Sequence, residues 1–288
     1  MTDYRDVFYH SHDGLRLYAR DYPCRDASNA TPATVLCMHG LTRNSADFAG
    51  LADYLSERYR VVSVDNRGRG RSDYDHNTAN YTPATYVQDM FTLLDELAIE
   101  QVILCGTSMG GLMSFIMTAM QPERIRALII NDIGPEIDPA GLERIKRYVG
   151  NSGPVRNWSE AIAQAKAINE IAFPDFGEEE WEEFAHGLYR EQDGVPVLAY
   201  DPAISRPMNE SDSNAVPPDL WPLFDAMTAK PMLVIRGETS DILAPACVDR
   251  MRDVKPDLQF AEIPRRGHAP TLNEPDARRA IDGFLDRL

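Results

Sequence analysis

A serine occupies the centre of the segment Gly106–Gly110, which reads Gly-Thr-Ser-Met-Gly between an apolar run and a stretch of helical character. A serine hydroxyl is a weak nucleophile unless the backbone lifts it clear of its neighbours and places it beside a base. A sharp turn from a strand into a helix does this, and flanking glycines leave room for the neighbouring backbone. The pattern therefore predicts Ser108 as a nucleophile.

The same turn provides a place for a negatively charged oxygen. The predicted helix begins near Met109, and the first N–H groups of a helix have no partner within it. His39-Gly40-Leu41 ends a buried strand that we expect to lie beside the serine strand. We predict that the backbone N–H groups of Leu41 and Met109 form a two-donor oxyanion hole.

A serine nucleophile needs a base, and the chain offers six histidines. Only His268 follows the last predicted strand, in a loop before the final helix. Loops at the carboxyl edge of a parallel sheet are where active sites gather. We therefore predict that His268 is the base. His39 is expected to be a buried, hydrogen-bonded structural residue.

Three carboxylates compete to orient that histidine. Asp241 and Glu238 lie in the loop after the predicted strand 232–235, and Asp132 directly follows the strand 125–131. The turn before Asp241 can bring its carboxylate back over the strand ends, so Asp241 is the predicted acid. Asp132 is the alternative acid, or else it caps the entry to the segment that follows. Glu238 is the third candidate, closer to the strand and able to point to solvent.

The composition limits the class of partner. Lys and Arg (29) against Asp and Glu (45) give a net charge of −16, which argues against a nucleic acid or an anionic membrane as partner. The four cysteines form no C-x-x-C pair, and no apolar run reaches the roughly 18 residues that span a bilayer. The first residues contain no apolar core of a secretory signal. We expect a cytoplasmic protein that acts on a small molecule without a metal or organic cofactor.

Strand and helix signals alternate along most of the chain, as βαβ units require. They predict an α/β fold with a mostly parallel sheet of eight strands and helices on both faces. The predicted strands cover residues 7–10, 15–22, 34–38, 59–64, 101–105, 125–131, 232–235 and 258–263.

The sequence pattern changes after Gly134-Pro135. Residues 136–228 show almost no strand pattern and contain two segments with apolar residues at helical spacing. We predict an α/β core at 1–135 and 229–288, with 136–228 inserted as a helical cap. Three residues are predicted to contact the substrate: Trp158 and Trp181 of that insertion, and Arg43 of the core.

These segments together resemble the α/β-hydrolase superfamily over essentially the full length. The resemblance is carried by His39-Gly40, the loop Asp65–Asp73, the segment Gly106–Gly111, Asp241 and Gly267-His268. It implies that Ser108 is the nucleophile, Asp241 the acid, His268 the base and 136–228 the cap. A serine at position 108 excludes the carboxylate nucleophile of the epoxide hydrolases and haloalkane dehalogenases that share this fold.

The resemblance is greatest to esterases and enol-lactonases, so the predicted function is hydrolysis of a small carboxylic ester or lactone through an acyl-enzyme. One alternative is a carbon–carbon bond hydrolase of aromatic ring-cleavage products, which needs a cation for the substrate carboxylate. Candidates are Arg43 near the predicted site and Arg144, Arg147 and Arg156 of the insertion. Another alternative is a non-hydrolytic sensor that binds a small molecule under the cap.

Overall fold

A sheet of eight strands runs through the computed structural model, which describes residues 3–28, 31–207 and 219–288. The strands, in chain order, are β1 (Arg5–His10), β2 (Arg16–Tyr22), β3 (Thr34–Met38), β4 (Arg60–Asp65), β5 (Val102–Thr107), β6 (Ile125–Asn131), β7 (Tyr189–Gln192), β8 (Val195–Leu198), β9 (Met232–Gly237) and β10 (Gln259–Ile263). The sheet has the order β1-β2-β4-β3-β5-β6-β9-β10, and β7 and β8 pair separately. The β1–β2 and β2–β4 pairs are antiparallel and the other pairs of the sheet are parallel. The predicted sheet is confirmed.

Helices cover both faces of the sheet. They are α1 (Ala49–Leu55), α2 (Pro83–Glu96), α3 (Met109–Met120), α4 (Pro139–Tyr148), α5 (Trp158–Asn169), α6 (Glu178–Leu188), α7 (Trp221–Met227), α8 (Pro245–Val254) and α9 (Pro275–Leu285). Within β5, Ile103 and Cys105 pack with residues of α1 and α9, whereas Val102 and Leu104 pack with residues of α2, α3 and α8. Because both faces are buried, the central strands carry continuous apolar runs, such as residues 35–38 of β3 and 102–105 of β5.

The chain leaves the sheet between β6 and β9, where it forms α4, α5, α6, the β7–β8 pair and α7. Residues 208–218 of the predicted cap lie outside the described residues. Helix α7 packs against α3, with the ring centres of Phe224 and Phe115 6.3 Å apart, so the end of the segment joins the core of the sheet. The division into a core and a cap at 136–228 stays a prediction.

The prediction of an almost strandless insertion is corrected by the β7–β8 hairpin. Its strands are antiparallel and joined by Asp193 and Gly194, whose φ angles are 52° and 78°. A two-residue turn with both φ angles positive matches the twist of a hairpin, and Asp-Gly is a favoured sequence for it. That dipeptide is the signal that could have predicted the hairpin.

No helix within residues 3–28, 31–207 and 219–288 has both the length and the apolar character needed to cross a membrane.

Candidate active site

Ser108 lies at the turn between β5 and α3, with a φ of 52° and a ψ of −113°. A positive φ is uncommon for a residue with a side chain, so the surrounding packing must hold this turn in place. A Cβ on Gly106 would lie 2.3 Å from Gly110 O, and one on Gly110 would lie 2.0 Å from Met38 O. Only glycine fits at both positions. The strand, turn and helix predicted around Ser108 are all present.

His268 joins Ser108 to a buried carboxylate. Its Nε2 lies 2.8 Å from Ser108 Oγ, and its Nδ1 lies 2.8 Å from Asp132 Oδ2. An ionised carboxylate only accepts hydrogen bonds, so Nδ1 donates to Asp132. Nε2 is then the acceptor, and the serine hydroxyl donates to it. The three side chains come from separate parts of the chain and meet at the carboxyl ends of β5, β6 and β10.

Asp132 is held in place by the loop that follows β9. Its Oδ1 accepts a hydrogen bond from Gly237 N at 2.8 Å, and its Oδ2 accepts one from Ser240 Oγ at 2.6 Å. The residue has a φ of 57°, a conformation that aspartate tolerates better than most residues. With His268, this carboxylate has three donors and is fully buried. It is therefore fixed in position and cannot turn towards solvent.

Asp241, the predicted acid, makes no hydrogen bond to His268. Its carboxylate accepts two hydrogen bonds from Arg144 of α4, Nε to Oδ2 at 2.5 Å and Nη2 to Oδ1 at 2.9 Å. Burial raises the pKa of Asp241, but the hydrogen bonds and charge of Arg144 outweigh it and leave that pKa below its usual range. The prediction is thus corrected: the histidine's carboxylate partner is the alternative, Asp132.

The order of the strands gives the physical reason. β6 is the direct neighbour of β5, whereas β9 lies one strand further away, so a residue directly after β6 is nearer the serine. Arg144 of α4 binds Asp241 away from His268, and Ser240 occupies the place beside Asp132 instead. Glu238 Oε2 accepts a hydrogen bond from Arg265 N at 2.7 Å and is bound to another loop.

His39 fixes the peptide between Gly40 and Leu41. Its Nδ1 donates to Gly40 O at 2.6 Å, and its Nε2 accepts from Asn66 N at 3.1 Å. Burial lowers the pKa of His39 to about 3, so the ring is neutral and structural, as expected. In a planar trans peptide, C=O and N–H point in opposite directions. Because Gly40 O faces His39, the N–H of Leu41 points away from that ring.

Arg69 is a residue that the sequence patterns did not single out. Its side chain is fully buried, and Nε donates to Leu41 O at 2.9 Å while Nη1 donates to Tyr86 Oη at 2.8 Å. Nη2 lies 4.0 Å from Met109 Sδ. One guanidinium thus contacts both residues whose N–H groups were predicted to form the oxyanion hole. Arg69 belongs to the Asp65–Asp73 loop, and the pattern of that loop is the sequence signal that could have identified it.

A cavity of about 510 Å³ opens above these residues. Its lining includes Ser108, His268, Gly40 and Leu41 from the edge of the sheet, and aromatic side chains of the insertion. The aromatic residues are Tyr148, Phe173, Phe176, Phe184, Tyr189 and Tyr200. A cavity of this size and mixed lining fits a small organic molecule with its reacting group at the serine.

The two tryptophans predicted to contact the substrate lie elsewhere. Within the described structure, neither Trp158 nor Trp181 lines the cavity. Trp158 packs against His186, with ring centres 3.9 Å apart and planes tilted by 36°, and Trp181 is buried in a cluster with Phe173 and Phe176. The third predicted contact, Arg43, does line the cavity.

No group of three or more His, Cys, Asp or Glu side chains placed to hold a metal ion occurs within residues 3–28, 31–207 and 219–288.

Comparisons with known proteins agree with this architecture. A family model described as the alpha/beta hydrolase fold matches residues 33–275. A solved structure of an alpha/beta hydrolase from Novosphingobium aromaticivorans superposes with a TM-score of 0.92 at 40% identity and covers 100% of both chains.

Two curated relatives are hydrolases. The chain is 35% identical over 253 residues to a 3-hydroxybutyrate-oligomer hydrolase of Cupriavidus necator, covering 85% of this chain and 86% of that protein. It is 29% identical over 257 residues to a 2-(acetamidomethylene)succinate hydrolase of Mesorhizobium japonicum, covering 88% of this chain and 87% of that protein.

Proposed function

The chain belongs to the α/β-hydrolase family, and on that premise we propose that it is a serine hydrolase that cleaves a small carboxylic ester or lactone through an acyl-enzyme. One observation carries the proposal: His268 lies within hydrogen-bond distance of both the Ser108 hydroxyl and the buried Asp132 carboxylate. A serine beside an imidazole that a carboxylate orients is the arrangement that acyl transfer requires.

Each of the three side chains has a role in the first step. His268 Nε2 takes the proton of Ser108 as its Oγ attacks the substrate carbonyl carbon. Asp132 accepts the Nδ1–H bond, holds the imidazole in the tautomer that leaves Nε2 free, and stabilises the imidazolium that forms. Asp132 therefore takes the role that the sequence assigned to Asp241.

We assign the oxyanion to the backbone N–H groups of Leu41 and Met109. Met109 is the first residue of α3, where a backbone N–H has no partner within the helix. The His39 hydrogen bond to Gly40 O orients the N–H of Leu41. One such donor is worth about 10²–10³ in kcat, or about 2.7–4 kcal/mol. The side chain of Leu41 is not required for this role.

The second half of the reaction reverses the first. The imidazolium of His268 protonates the leaving alcohol, and water then attacks the acyl-enzyme with His268 again as base. No step requires a cofactor. Since the four cysteines are unpaired, as in proteins of reducing compartments, we place the enzyme in the cytoplasm.

The name of the relative from Cupriavidus necator favours one class of substrate. Its name states that it hydrolyses a 3-hydroxybutyrate oligomer, and such an oligomer is a chain of ester bonds. We therefore favour an ester of a short hydroxy acid over a lactone. The cavity of about 510 Å³ accommodates such a molecule.

A carbon–carbon bond hydrolase is the second candidate, because it would use the same three side chains and needs a cation near the substrate carboxylate. Arg43 lines the cavity and meets that requirement. Turnover of a ring-fission dienoate far above that of any simple ester would favour this candidate.

Esterase assays with matched variants test the proposal. We expect the wild-type protein to hydrolyse p-nitrophenyl acetate or butyrate and Ser108→Ala to lose at least about 10⁴-fold in kcat. Ser114→Ala is the control, since Ser114 lies on the same helix and its hydroxyl bonds to Gly110 O instead of a histidine. Wild-type rates in Ser108→Ala would overturn the proposal.

A further inference from the structure

Arg43 lies beside the candidate nucleophile. An atom at the Cβ position of Gly40 would be 3.7 Å from Arg43 Cγ and 3.7 Å from Ser108 Cβ, so both side chains flank this glycine. The guanidinium carbon is 4.2 Å from the centre of the Phe184 ring on α6. Arg43 therefore stands between the edge of the sheet and the helices that cover the cavity.

Part of this guanidinium has no hydrogen-bond acceptor. The carboxylate of Asp47 accepts two hydrogen bonds from one edge of the guanidinium. Arg43 Nε donates to Asp47 Oδ2 at 2.8 Å, and Arg43 Nη2 donates to Asp47 Oδ1 at 2.6 Å. Nη1 is buried and has no partner in the described structure. A buried cationic N–H group without an acceptor costs free energy, which calls for an explanation. Nη1 has almost no accessible surface, so the side chain must turn towards the adjoining cavity before a ligand there can supply the acceptor.

The other arginines predicted to bind a carboxylate are placed differently. Arg144 is occupied by Asp241. Arg147 is exposed, and Arg156 is exposed and pairs with Glu160 of its own segment. In the described structure none of these three lines the cavity, whereas Arg43 does.

A second arginine of the lining shows that one guanidinium can hold two carboxylates here. Arg266 donates from Nε to Glu274 Oε1 at 3.0 Å and from Nη1 to Asp175 Oδ1 at 2.5 Å. Its two acceptors are thus already in place, while Arg43 has only Asp47. Glu274 Oε2 also lacks a partner in the described structure.

We propose that Arg43 binds a carboxylate of the substrate, so that the enzyme prefers an ester of a hydroxy acid with a free carboxylate to its neutral counterpart. The proposal rests on the proposed serine hydrolase function. With the side chain turned towards the cavity, Arg43 Nη1 donates to the carboxylate while Ser108 attacks the ester carbonyl. A guanidinium suits this role because it stays charged and its edges match the geometry of a carboxylate.

A pair of substrates that differ only in charge tests the proposal. 3-Acetoxybutanoate carries the carboxylate, and 3-acetoxybutanamide replaces it with a neutral amide of similar shape. Acetate release gives kcat/KM for each, and the ratio of the two does not depend on the fraction of folded enzyme. We expect Arg43→Met to lower the ratio about 10- to 100-fold. Arg43→Lys should give an intermediate ratio, because it keeps the charge without the planar fork.

Arg147→Met is the matched control and should keep the wild-type ratio, since Arg147 is exposed and outside the cavity lining. Calorimetric binding of 3-acetoxybutanoate to Ser108→Ala, with and without Arg43→Met, adds a measurement free of chemistry, and the second substitution should weaken binding. An unchanged ratio in Arg43→Met would overturn the proposed role of Arg43 but not the proposed hydrolase function. If the wild-type protein cleaved neither these substrates nor the p-nitrophenyl esters, the proposed function itself would fail.

Discussion

Replacing Asp132 by asparagine separates the two candidate acids. In the structure Asp132 Oδ1 accepts from Gly237 N, and Oδ2 accepts from His268 Nδ1 and Ser240 Oγ. Asparagine has one oxygen and one NH₂ group, so it cannot satisfy both sides. If its oxygen faces His268, the NH₂ group opposes the N–H of Gly237 and leaves a buried backbone donor without an acceptor. That arrangement costs about 1–3 kcal/mol.

The opposite orientation keeps the Gly237 bond and is therefore favoured. The NH₂ group then faces His268 Nδ1 and forces the proton of the ring onto Nε2, which can no longer accept the proton of Ser108. We expect kcat to fall about 10⁴-fold, as the same substitution does in serine proteases, with the geometry otherwise intact. At 1.36 kcal/mol per factor of ten, this is a loss of about 5 kcal/mol of transition-state stabilisation.

Steady-state hydrolysis of p-nitrophenyl acetate measures the effect, with Asp241→Asn as the matched control. Asp241 bonds to Arg144 and not to His268, so its replacement should change kcat less than about tenfold. Circular dichroism of both variants verifies that they are folded. A large loss in Asp241→Asn with near wild-type rates in Asp132→Asn would refute the assignment of Asp132.

Further substitutions and pH profiles test the surrounding structure. Arg69→Met removes the hydrogen bond to Leu41 O and should lower kcat about tenfold with little change in KM; a change in KM alone would contradict this positioning role. The pKa of Asp241 is lowered in the folded state, so its pairing with Arg144 stabilises the protein above the unfolded pKa of about 3.9, and this contribution disappears as pH falls through the folded pKa. The difference in Tm between wild type and Asp241→Asn should therefore shrink below about pH 4, and a constant difference would contradict the pairing.

The sheet and the serine turn were predictable because local patterns determine them. Runs such as Thr34–Met38 must be buried on both faces, and glycines are needed at 106 and 110 because a Cβ there would lie 2.3 Å or 2.0 Å from neighbouring backbone. His268 was identified by its place after the last strand. Each of these inferences uses residues that are close together in the sequence.

The acid was not predictable in the same way. Asp132 and Asp241 both follow strands that end at the same edge of the sheet. Each of the two loops therefore places a carboxylate at the edge where His268 lies. The choice depends on Arg144, which is 97 residues from Asp241 in sequence and binds it from the helix above. It depends equally on Ser240, which faces Asp132. No local sequence pattern predicts the contact of Arg144 with Asp241 or that of Ser240 with Asp132.

The insertion shows the same limit. Helical spacing predicted two helices in the insertion, but not which surface their apolar faces meet. Trp158 packs with residues of α6 and the β7–β8 hairpin, and Trp181 packs in its own aromatic cluster. The side chains that do line the cavity, such as Tyr148 and Phe184, are placed by contacts between helices distant in sequence.

The measurement that most directly tests the central claim is a crystal structure of the protein after reaction with a fluorophosphonate ester. We predict one covalent adduct, on Ser108 Oγ, with the phosphonyl oxygen within hydrogen-bond distance of the Leu41 and Met109 amides and with His268 still bonded to Asp132. An adduct on another residue, or an adduct on Ser108 whose oxygen contacts neither amide, would contradict the account.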